Sequence, residues 1–218
     1  MLSTLKQYVY DRYAHDENCW VRRLHRGFFR SRFVVKSLFG LDVPPAGKAL
    51  YFDLTTILLR NLVRDRLRRS PDLRLLEIGV GSFVILSGCL SRRARHRIDA
   101  VDLEPSYVES SRKCCSMNQL NVKVFQSDLF ENVERRKYDV IFWNLPYYVD
   151  PHKYLGRLFA SAPDYMDEGS ELILGYNSKP LPRDTALRFF DPEGRLRLVK
   201  TVTWWWNLHE VLVFQRKQ

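Results

Sequence analysis

The 218-residue sequence predicts an α/β fold built on a doubly wound, mostly parallel sheet. Strand-like and helix-like segments alternate from Leu73 to the C-terminus, as in sheets whose parallel strands are joined by crossover helices. Residues 140–143 are all apolar, which is typical of a strand covered on both faces. The last two strand-like segments are separated only by Trp206-Asn207, where a tight turn is expected, so the closing strand is predicted to be antiparallel.

The chain is predicted to divide into an N-terminal helical extension, residues 1–48, and a sheet domain, residues 49–218. Apolar side chains recur every three or four residues between Trp20 and Leu38, which indicates one or two amphipathic helices. The extension is expected either to pack on the sheet domain through its aromatic side chains or to form a lid that selects the substrate. The helices predicted after it cover residues 51–69, 83–93, 105–119, 152–166 and 183–190. The predicted strands cover residues 73–78, 97–101, 122–125, 138–143, 171–176, 196–205 and 208–214.

The composition is that of a globular protein with enough apolar material for a full core, since 45% of the residues are hydrophobic and 28% are charged. No apolar stretch of about 18 residues is present, so no membrane span is expected. The four cysteines show no C-x-x-C spacing, which favours reduced structural thiols, no bound metal and a cytoplasmic location. The net charge of +10 is compatible with a polyanionic partner such as RNA or the ribosome.

A glycine turn between the first predicted strand and the next helix is the first candidate binding site. Gly79 and Gly81 allow a tight turn and a close approach of a ligand to the backbone. A dinucleotide site requires a third glycine where this sequence has Val84, and a P-loop requires a Gly-Lys-Ser/Thr ending that is absent. A nucleoside site without a pyrophosphate remains.

Two acidic residues follow the next two predicted strands. Asp102 comes about 20 residues after the glycine turn, the spacing of a ribose-binding acid, and its carboxylate can accept hydrogen bonds from both ribose hydroxyls. Asp128 follows the third strand and can accept from an adenine amino group, with Leu129 against the ring. Either acid alone could be a helix cap or a loop carboxylate. The glycine turn and both acids nevertheless fall at strand ends in the order that a nucleoside site needs.

The stretch Asn144-Leu145-Pro146-Tyr147 follows the buried strand and carries the candidate chemistry. Pro146 stops the strand because proline lacks an N–H, so the amide lies where open α/β sheets bind ligands. The Asn144 side-chain oxygen and the Leu145 carbonyl can each accept one hydrogen of a planar N–H group. Two such acceptors would orient the nitrogen and stabilise positive charge as it develops. Tyr147 can stack on a flat substrate, and a strand-end cap is the alternative role for Asn144.

In these motifs the chain resembles the class I S-adenosylmethionine-dependent methyltransferases, from about residue 50 to the C-terminus. The resemblance rests on Glu77-Ile-Gly-Val-Gly81, Val101-Asp102, Ser127-Asp128-Leu129-Phe130 and Asn144-Leu-Pro-Tyr147. The last of these is similar to the Asn/Asp-Pro-Pro-Tyr/Phe motif of amino methyltransferases. The resemblance implies a Rossmann-like seven-stranded sheet of order 3-2-1-4-5-7-6 with an antiparallel last strand.

The same resemblance implies a role for each motif residue. Glu77, Gly79 and Gly81 would surround the methionine part of S-adenosyl-L-methionine, and Asp102 would hold its ribose. Asp128 and Leu129 would hold adenine. Asn144 would lie beside the methyl donor and act with Pro146 and Tyr147 on the acceptor, leaving S-adenosyl-L-homocysteine as the product. Residues 52–56 occupy the place where related enzymes contribute a wall of the cofactor site.

The acceptor stays open at this point. Asn-Leu-Pro-Tyr resembles the motif of the rRNA adenine-N6 methyltransferases, whereas the domain with its closing hairpin is similar to the glutamine-N5 methyltransferases of release factors. A protein glutamine or an RNA base is slightly favoured over a small amine or guanidine from a biosynthetic pathway. A non-catalytic RNA- or protein-binding module on the same fold is the alternative from another class. Residues 204–206, three tryptophans, are expected to pack in the core or to offer a stacking surface.

Overall fold

The computed structural model describes residues 20–44, 50–146, 150–189, 194–203 and 209–217. The helices are α1 Trp20–Phe29, α2 Arg32–Phe39, α3 Leu54–Arg69, α4 Ile85–Ser91, α5 Pro105–Asn118, α6 Pro151–Ser161 and α7 Arg183–Arg188. The strands are β1 Leu75–Ile78, β2 Ile98–Asp102, β3 Val122–Gln126, β4 Tyr138–Asn144, β5 Met166–Asn177, β6 Leu196–Thr203 and β7 His209–Arg216. A 3₁₀ helix, Ala162–Tyr165, joins α6 to β5.

The strands form one sheet in the order β3-β2-β1-β4-β5-β7-β6. The pairs among β3, β2, β1, β4 and β5 are parallel, whereas β7 is antiparallel to β5 and to β6. This confirms the predicted strand order and the predicted antiparallel last strand. Because parallel strands end on the same side, the segments after β1 to β4 lie at one edge, the carboxyl edge, and the segments before them lie at the opposite amino edge.

Strand β4 lies at the centre of the sheet, as its apolar run predicts. Its apolar residues are almost fully buried, with Ile141 and Phe142 at 0% exposure. Neighbouring strands β1 and β5 pair with it on both sides, and Trp143 lies beside Ile78 and Leu174. Burial on both faces and both edges holds the end of β4 in a fixed place, and Asn144 is its last residue.

Helix α3 begins three residues later than predicted, because Asp53 caps it. The Asp53 carboxylate accepts a hydrogen bond from the Thr56 backbone N–H at 2.9 Å, and the Thr56 hydroxyl accepts one from the Asp53 N–H at 3.2 Å. This reciprocal pair is a capping box. Tyr51 and Phe52 therefore lie in the segment that leads into the helix.

Two further predicted helices were wrong at their ends. The helix predicted for residues 152–166 ends at Ser161, because Pro163 lacks the N–H that an α-helix needs at that position, and Met166 already belongs to β5. The helix predicted to begin at Phe83 begins at Ile85, since Val84 has a left-handed backbone with φ 49°. The predicted turn at residues 206–207, the tryptophans at 204–206 and Tyr147 lie outside the described residues.

Helices α1 and α2 contact the start of α3 through aromatic side chains. The Phe52 ring lies 5.0 Å from the Phe29 ring and 5.2 Å from the Phe39 ring, both in edge-on geometry. Phe28 also approaches Phe52, at 6.1 Å. Such aromatic pairs stabilise a packed arrangement beyond their buried area, so these helices support the segment that carries Asp53. Within the described part of the chain, no helix is long and apolar enough to cross a bilayer.

Candidate functional site

The carboxyl edge of the sheet brings together the residues that the sequence singles out. Gly79 follows β1, Asp102 ends β2, Asp128 follows β3 and Asn144 ends β4. These strands are neighbours in the order β3-β2-β1-β4. Pro146 follows Asn144 at the same edge. The site is therefore a row of polar groups across four adjacent strand ends.

The glycine turn has the backbone that its sequence requires. Both Gly79 and Gly81 have φ +66°, a left-handed conformation that favours glycine. A Cβ on Gly79 would lie 2.5 Å from the Trp143 indole nitrogen, so the turn packs directly on the end of β4. A Cβ on Gly81 would meet no atom within 4 Å, which places open space in front of this residue.

Asp102 holds the glycine turn in place through a hydrogen bond and can still accept hydrogen bonds from a ligand. One carboxylate oxygen accepts from the Gly81 N–H at 2.9 Å, and the other accepts from the Glu104 N–H at 3.0 Å. Burial raises the pKa of Asp102, against these two hydrogen bonds, which lower it. Each carboxylate oxygen has a second lone pair, so the side chain can still accept from hydroxyl groups in front of the turn.

Asp128 is paired with an arginine that sequence reasoning missed. Its Oδ2 accepts from the Arg157 guanidinium at 3.0 Å, while its Oδ1 is buried without a hydrogen-bond partner among the described residues. Leu129 is 6% exposed and has φ 52°, a strained value for a leucine. The Ser127 hydroxyl donates to the Leu129 carbonyl at 2.9 Å, which holds this loop in place. One acceptor of Asp128 therefore remains available for an amino group.

Glu77 lies within the sheet and is almost completely buried, at 3% exposure. Its Oε2 accepts from the Ser87 backbone N–H at 3.0 Å and from the Ser87 hydroxyl, which ties β1 to α4. Burial raises the pKa of Glu77 to about 8, because the carboxylate loses hydration that the Ser87 hydrogen bonds replace only in part. An approaching cation would favour its ionised form.

Two residues at the start of α3 fix the orientation of the Asn144 side chain. Its Nδ2 donates to Thr56 Oγ1 at 3.1 Å and lies 3.3 Å from Asp53 Oδ1. A carboxylate can only accept hydrogen bonds, so the amide group that faces Asp53 must be the NH₂. The amide oxygen consequently points the other way, and it is buried without a hydrogen-bond partner among the described residues. A buried acceptor of this kind is costly unless a ligand satisfies it.

A small cleft adjoins the segment after Asn144. It is lined by Leu145, Pro146, Pro151, Tyr176, Asn177, Pro180 and Leu181. The Leu145 N–H donates to the Gly175 carbonyl at 2.8 Å, which fixes the chain direction as it leaves β4. The cleft is small, about 30 Å³, and its walls are mainly apolar.

A histidine adjoins the same cluster from β7. His209 Nδ1 lies 2.5 Å from Thr55 Oγ1 and 3.9 Å from Asp53 Oδ2. Burial lowers the pKa of His209, whereas the Asp53 charge acts in the opposite direction. The sequence around His209 does not predict this contact, because the strand that carries His209 is more than a hundred positions away from Thr55. Only the strand order, with β7 next to β5, brings it to this edge.

The family model described as methyltransferase small domain matches residues 52–201. A Methanocaldococcus jannaschii protein provisionally named protein N5-glutamine methyltransferase is 41% identical over 91 residues, covering 42% of this chain and 43% of that protein. Ribosomal RNA small subunit methyltransferase C of Haemophilus influenzae is 30% identical over 150 residues, covering 67% of this chain and 44% of that protein. The chain thus spans less than half the length of these two curated relatives.

The crystal structure of a methyltransferase from Pyrococcus furiosus matches the fold with a TM-score of 0.70. The match covers 91% of this chain and 100% of that chain, at 21% sequence identity. At this identity the likeness concerns the fold. It agrees with the strand order and the antiparallel β7 described above.

Proposed function

The chain belongs to the methyltransferase small domain family, and from this premise we propose that it is an S-adenosylmethionine-dependent N-methyltransferase. Its acceptor is a planar amino, amide or guanidinium nitrogen held at Asn144. The observation that carries the proposal is the Asn144 side chain, whose NH₂ is engaged by Asp53 and Thr56 while its oxygen is buried without a partner among the described residues.

The residues at the carboxyl edge fit S-adenosyl-L-methionine. Open space in front of Gly81 accommodates a ligand against the backbone, and Asp102 holds a ribose through its remaining lone pairs. The unpartnered Asp128 Oδ1 suits an adenine amino group, with Leu129 beside it. Glu77, Gly79 and the capped start of α3 flank the methionine end. When bound, the cofactor supplies a methyl group on a sulfonium sulfur.

Asn144 prepares the acceptor nitrogen. A planar amine or amide nitrogen is a poor nucleophile because its lone pair is delocalised. The Asn144 oxygen accepts one N–H and the Leu145 carbonyl accepts the other, which directs the lone pair towards the methyl donor. Both acceptors also stabilise the positive charge that the nitrogen gains. The neutral amide keeps no proton, so the proton leaves to solvent after transfer. We assign Pro146 and Tyr147 to the acceptor side from their place in the motif Asn144-Leu145-Pro146-Tyr147.

The substrate we propose is macromolecular, a protein glutamine or an RNA base. Two observations support it: the relatives are named for a protein glutamine and for ribosomal RNA, and the chain carries a net charge of +10.

Residues 1–48 then form an extension that selects the substrate, and residues 49–218 form the catalytic domain. Contacts of Phe29 and Phe39 with Phe52, next to Asp53, support this role for the extension. The free thiols of Cys89, Cys114 and Cys115 suit a cytoplasmic place of action.

The test is incubation with methyl-labelled S-adenosylmethionine and separate pools of RNA, protein and small metabolites. We expect label in the RNA or the protein pool and calorimetric binding of the cofactor with a dissociation constant in the micromolar range, roughly that of ordinary enzyme substrates. Label only in the metabolite pool would replace the macromolecular substrate by a small one. Absence of binding of both S-adenosylmethionine and S-adenosylhomocysteine would refute the proposed function.

A further inference from the structure

The amino edge of the sheet, opposite the candidate site, carries a concentration of arginines that the proposed methyl transfer does not use. Arg74, Arg97 and Lys137 immediately precede β1, β2 and β4, which are adjacent parallel strands. Helices α3 and α4 end at the same edge. The amino-edge face is defined by these exposed basic side chains: Arg68, Arg69, Arg74, Arg92, Arg93, Arg95, His96, Arg97, Arg135 and Lys137.

Backbone hydrogen bonds place the three segments of this face side by side. The Arg95 N–H donates to the Pro71 carbonyl at 2.9 Å, which joins the turn after α3 to the turn after α4. The Asp139 N–H donates to the Arg74 carbonyl at 2.9 Å, which joins the start of β4 to the start of β1. The arginines therefore form one continuous surface rather than scattered charges.

Acidic residues balance only part of this charge. Asp65 pairs with Arg68 at 3.2 Å, and Asp72 pairs with Arg95 at 3.1 Å, both between exposed side chains. Asp139 accepts from the Arg74 backbone N–H, and exposed Glu134 adjoins Arg135. Five arginines of the face form no ion pair within the part of the chain that the structure describes. They are Arg69, Arg74, Arg93, Arg97 and Arg135.

The chemistry of the face favours phosphate over other anionic partners. Its cations are mostly guanidinium groups, which bind phosphate oxygens through two parallel N–H donors. The large apolar side chains that are exposed in the described ranges lie on other segments, such as Leu24, Phe33 and Leu103. Interfaces with proteins centre on aromatic or apolar anchors, and stable attachment to a membrane combines a basic patch with an inserted apolar group. Arg135 and Lys137 also line a cavity of about 680 Å³, but Asp128, Glu131 and Asp164 line it too, so this cavity does not belong to the face.

We propose that the amino-edge face binds the phosphate backbone of RNA. The face lies across the sheet from Asn144, a separation of about 23 Å along the seven residues of β4, so RNA held there is not positioned by the acceptor site itself. The surface anchors a large RNA through sequence-independent contacts. The inference goes beyond the proposed methyl transfer and holds whether the methylated group belongs to the RNA or to a protein bound to it.

The experiment measures fluorescence anisotropy of a single-stranded oligouridylate of about 20 nucleotides, titrated with the full chain without cofactor at several salt concentrations. The test variant carries Arg69→Gln, Arg93→Gln and Arg97→Gln. The control variant carries Lys113→Gln, Lys153→Gln and Lys200→Gln, three exposed lysines on other elements. Both variants lose the same charge, and circular dichroism melting checks that both remain folded.

The test variant is expected to bind RNA about tenfold more weakly near 0.1 M salt, and the slope of log affinity against log salt is expected to fall by about 2, since each single-strand phosphate contact contributes about 0.7. The control variant is expected to bind within about threefold of the wild type. Equal losses in both variants would overturn the inference, because only net charge would then matter. So would an absence of RNA binding by the wild type. Failure of methyl transfer would leave this result unaffected, since no cofactor is present.

Discussion

Asp53 and Asn144 lie 91 positions apart in the sequence, yet an Asp53 carboxylate oxygen lies 3.3 Å from the Asn144 amide nitrogen. The same carboxylate oxygen caps α3 by accepting from the Thr56 N–H at 2.9 Å. One side chain therefore fixes both the start of a helix and the direction of the amide at the end of the central strand. The orientation of the Asn144 oxygen depends on this link.

Removal of the Asp53 carboxylate is expected to slow methyl transfer. Asp53→Ala leaves the Asn144 amide held only by Thr56 and should lower kcat by about 10- to 100-fold, because misdirected acceptors lose the orientation of the substrate. Asp53→Asn keeps an acceptor for both the Thr56 N–H and the Asn144 NH₂, so its kcat should stay within about threefold of the wild type. Steady-state kinetics with the labelled cofactor measures both variants.

Loss of a helix cap also costs stability, about 0.5–2 kcal/mol, so Asp53→Ala needs a matched control. Ser31 caps α2 in the same manner, accepting from the Val34 N–H at 3.3 Å. Ser31→Ala should lower the free energy of unfolding by a similar amount. Because Ser31 belongs to the extension proposed to select the substrate, any effect on catalysis is expected in KM, and kcat at saturating acceptor should stay unchanged. An equal loss of kcat in Ser31→Ala and Asp53→Ala would assign the effect to stability rather than to orientation.

The two glycines of the turn should respond differently to alanine. Both have φ +66°, but a Cβ on Gly79 would collide with Trp143 whereas one on Gly81 would enter open space. Gly79→Ala is expected to lower the free energy of unfolding by about 2–4 kcal/mol, the backbone strain plus the clash. Gly81→Ala should cost only about 1–2 kcal/mol, the backbone strain alone, and should weaken S-adenosylmethionine binding by at least about tenfold because the methyl occupies ligand space. Chemical denaturation and calorimetry separate the two effects, and equal destabilisation by both substitutions would argue against the packing of Gly79 on Trp143.

Glu77 should make the stability of the free protein depend on pH. Its pKa is about 8 in the folded protein and close to the ordinary value of 4.5 when unfolded. Between these values the folded state binds more protons, so this residue lowers the free energy of unfolding as pH rises from 4.5 towards 8. Glu77→Gln removes that dependence. Relative to the wild type, the variant should gain about 1–3 kcal/mol of unfolding free energy between pH 5.5 and pH 8.

Urea denaturation at these two pH values, without cofactor, measures the change. A difference between Glu77→Gln and the wild type that stays constant with pH would contradict a raised Glu77 pKa. The Glu77→Gln substitution conserves one of the Ser87 hydrogen bonds. A glutamine oxygen can still accept from the Ser87 N–H, which lies 3.0 Å from the Glu77 carboxylate in the wild type.

The site residues that lie at or just after the ends of strands could be predicted from the sequence. The glycine turn, Asp102, Asp128 and Asn144 each follow an apolar strand, and parallel strands place their ends at one edge. Strand order followed from the resemblance, because alternation of strands and helices alone leaves several orders open. Helix ends were less predictable: the cap at Asp53 and the break at Pro163 each depend on one residue within a continuous amphipathic pattern.

Contacts between distant segments could not be predicted. Asp53, Thr55 and Thr56 belong to a segment expected only to form a wall of the cofactor site, and their hydrogen bonds to Asn144 and His209 arise when α3 packs across the sheet. The Arg157–Asp128 pair depends on where a long side chain from α6 reaches. No periodicity or spacing in the sequence records such pairings, because each joins elements that only the folded sheet brings together.

The central claim is that the Asn144 amide oxygen positions the acceptor nitrogen, and the Asn144→Ala variant tests it most directly. Its rate of methyl transfer from labelled S-adenosylmethionine should fall by at least about 10²-fold, as for the loss of one directed hydrogen-bond acceptor in an active site. Its cofactor affinity should stay within about threefold of the wild type, and Asn61→Ala, on α3, should leave the rate unchanged. Full methyl transfer by Asn144→Ala would contradict the account.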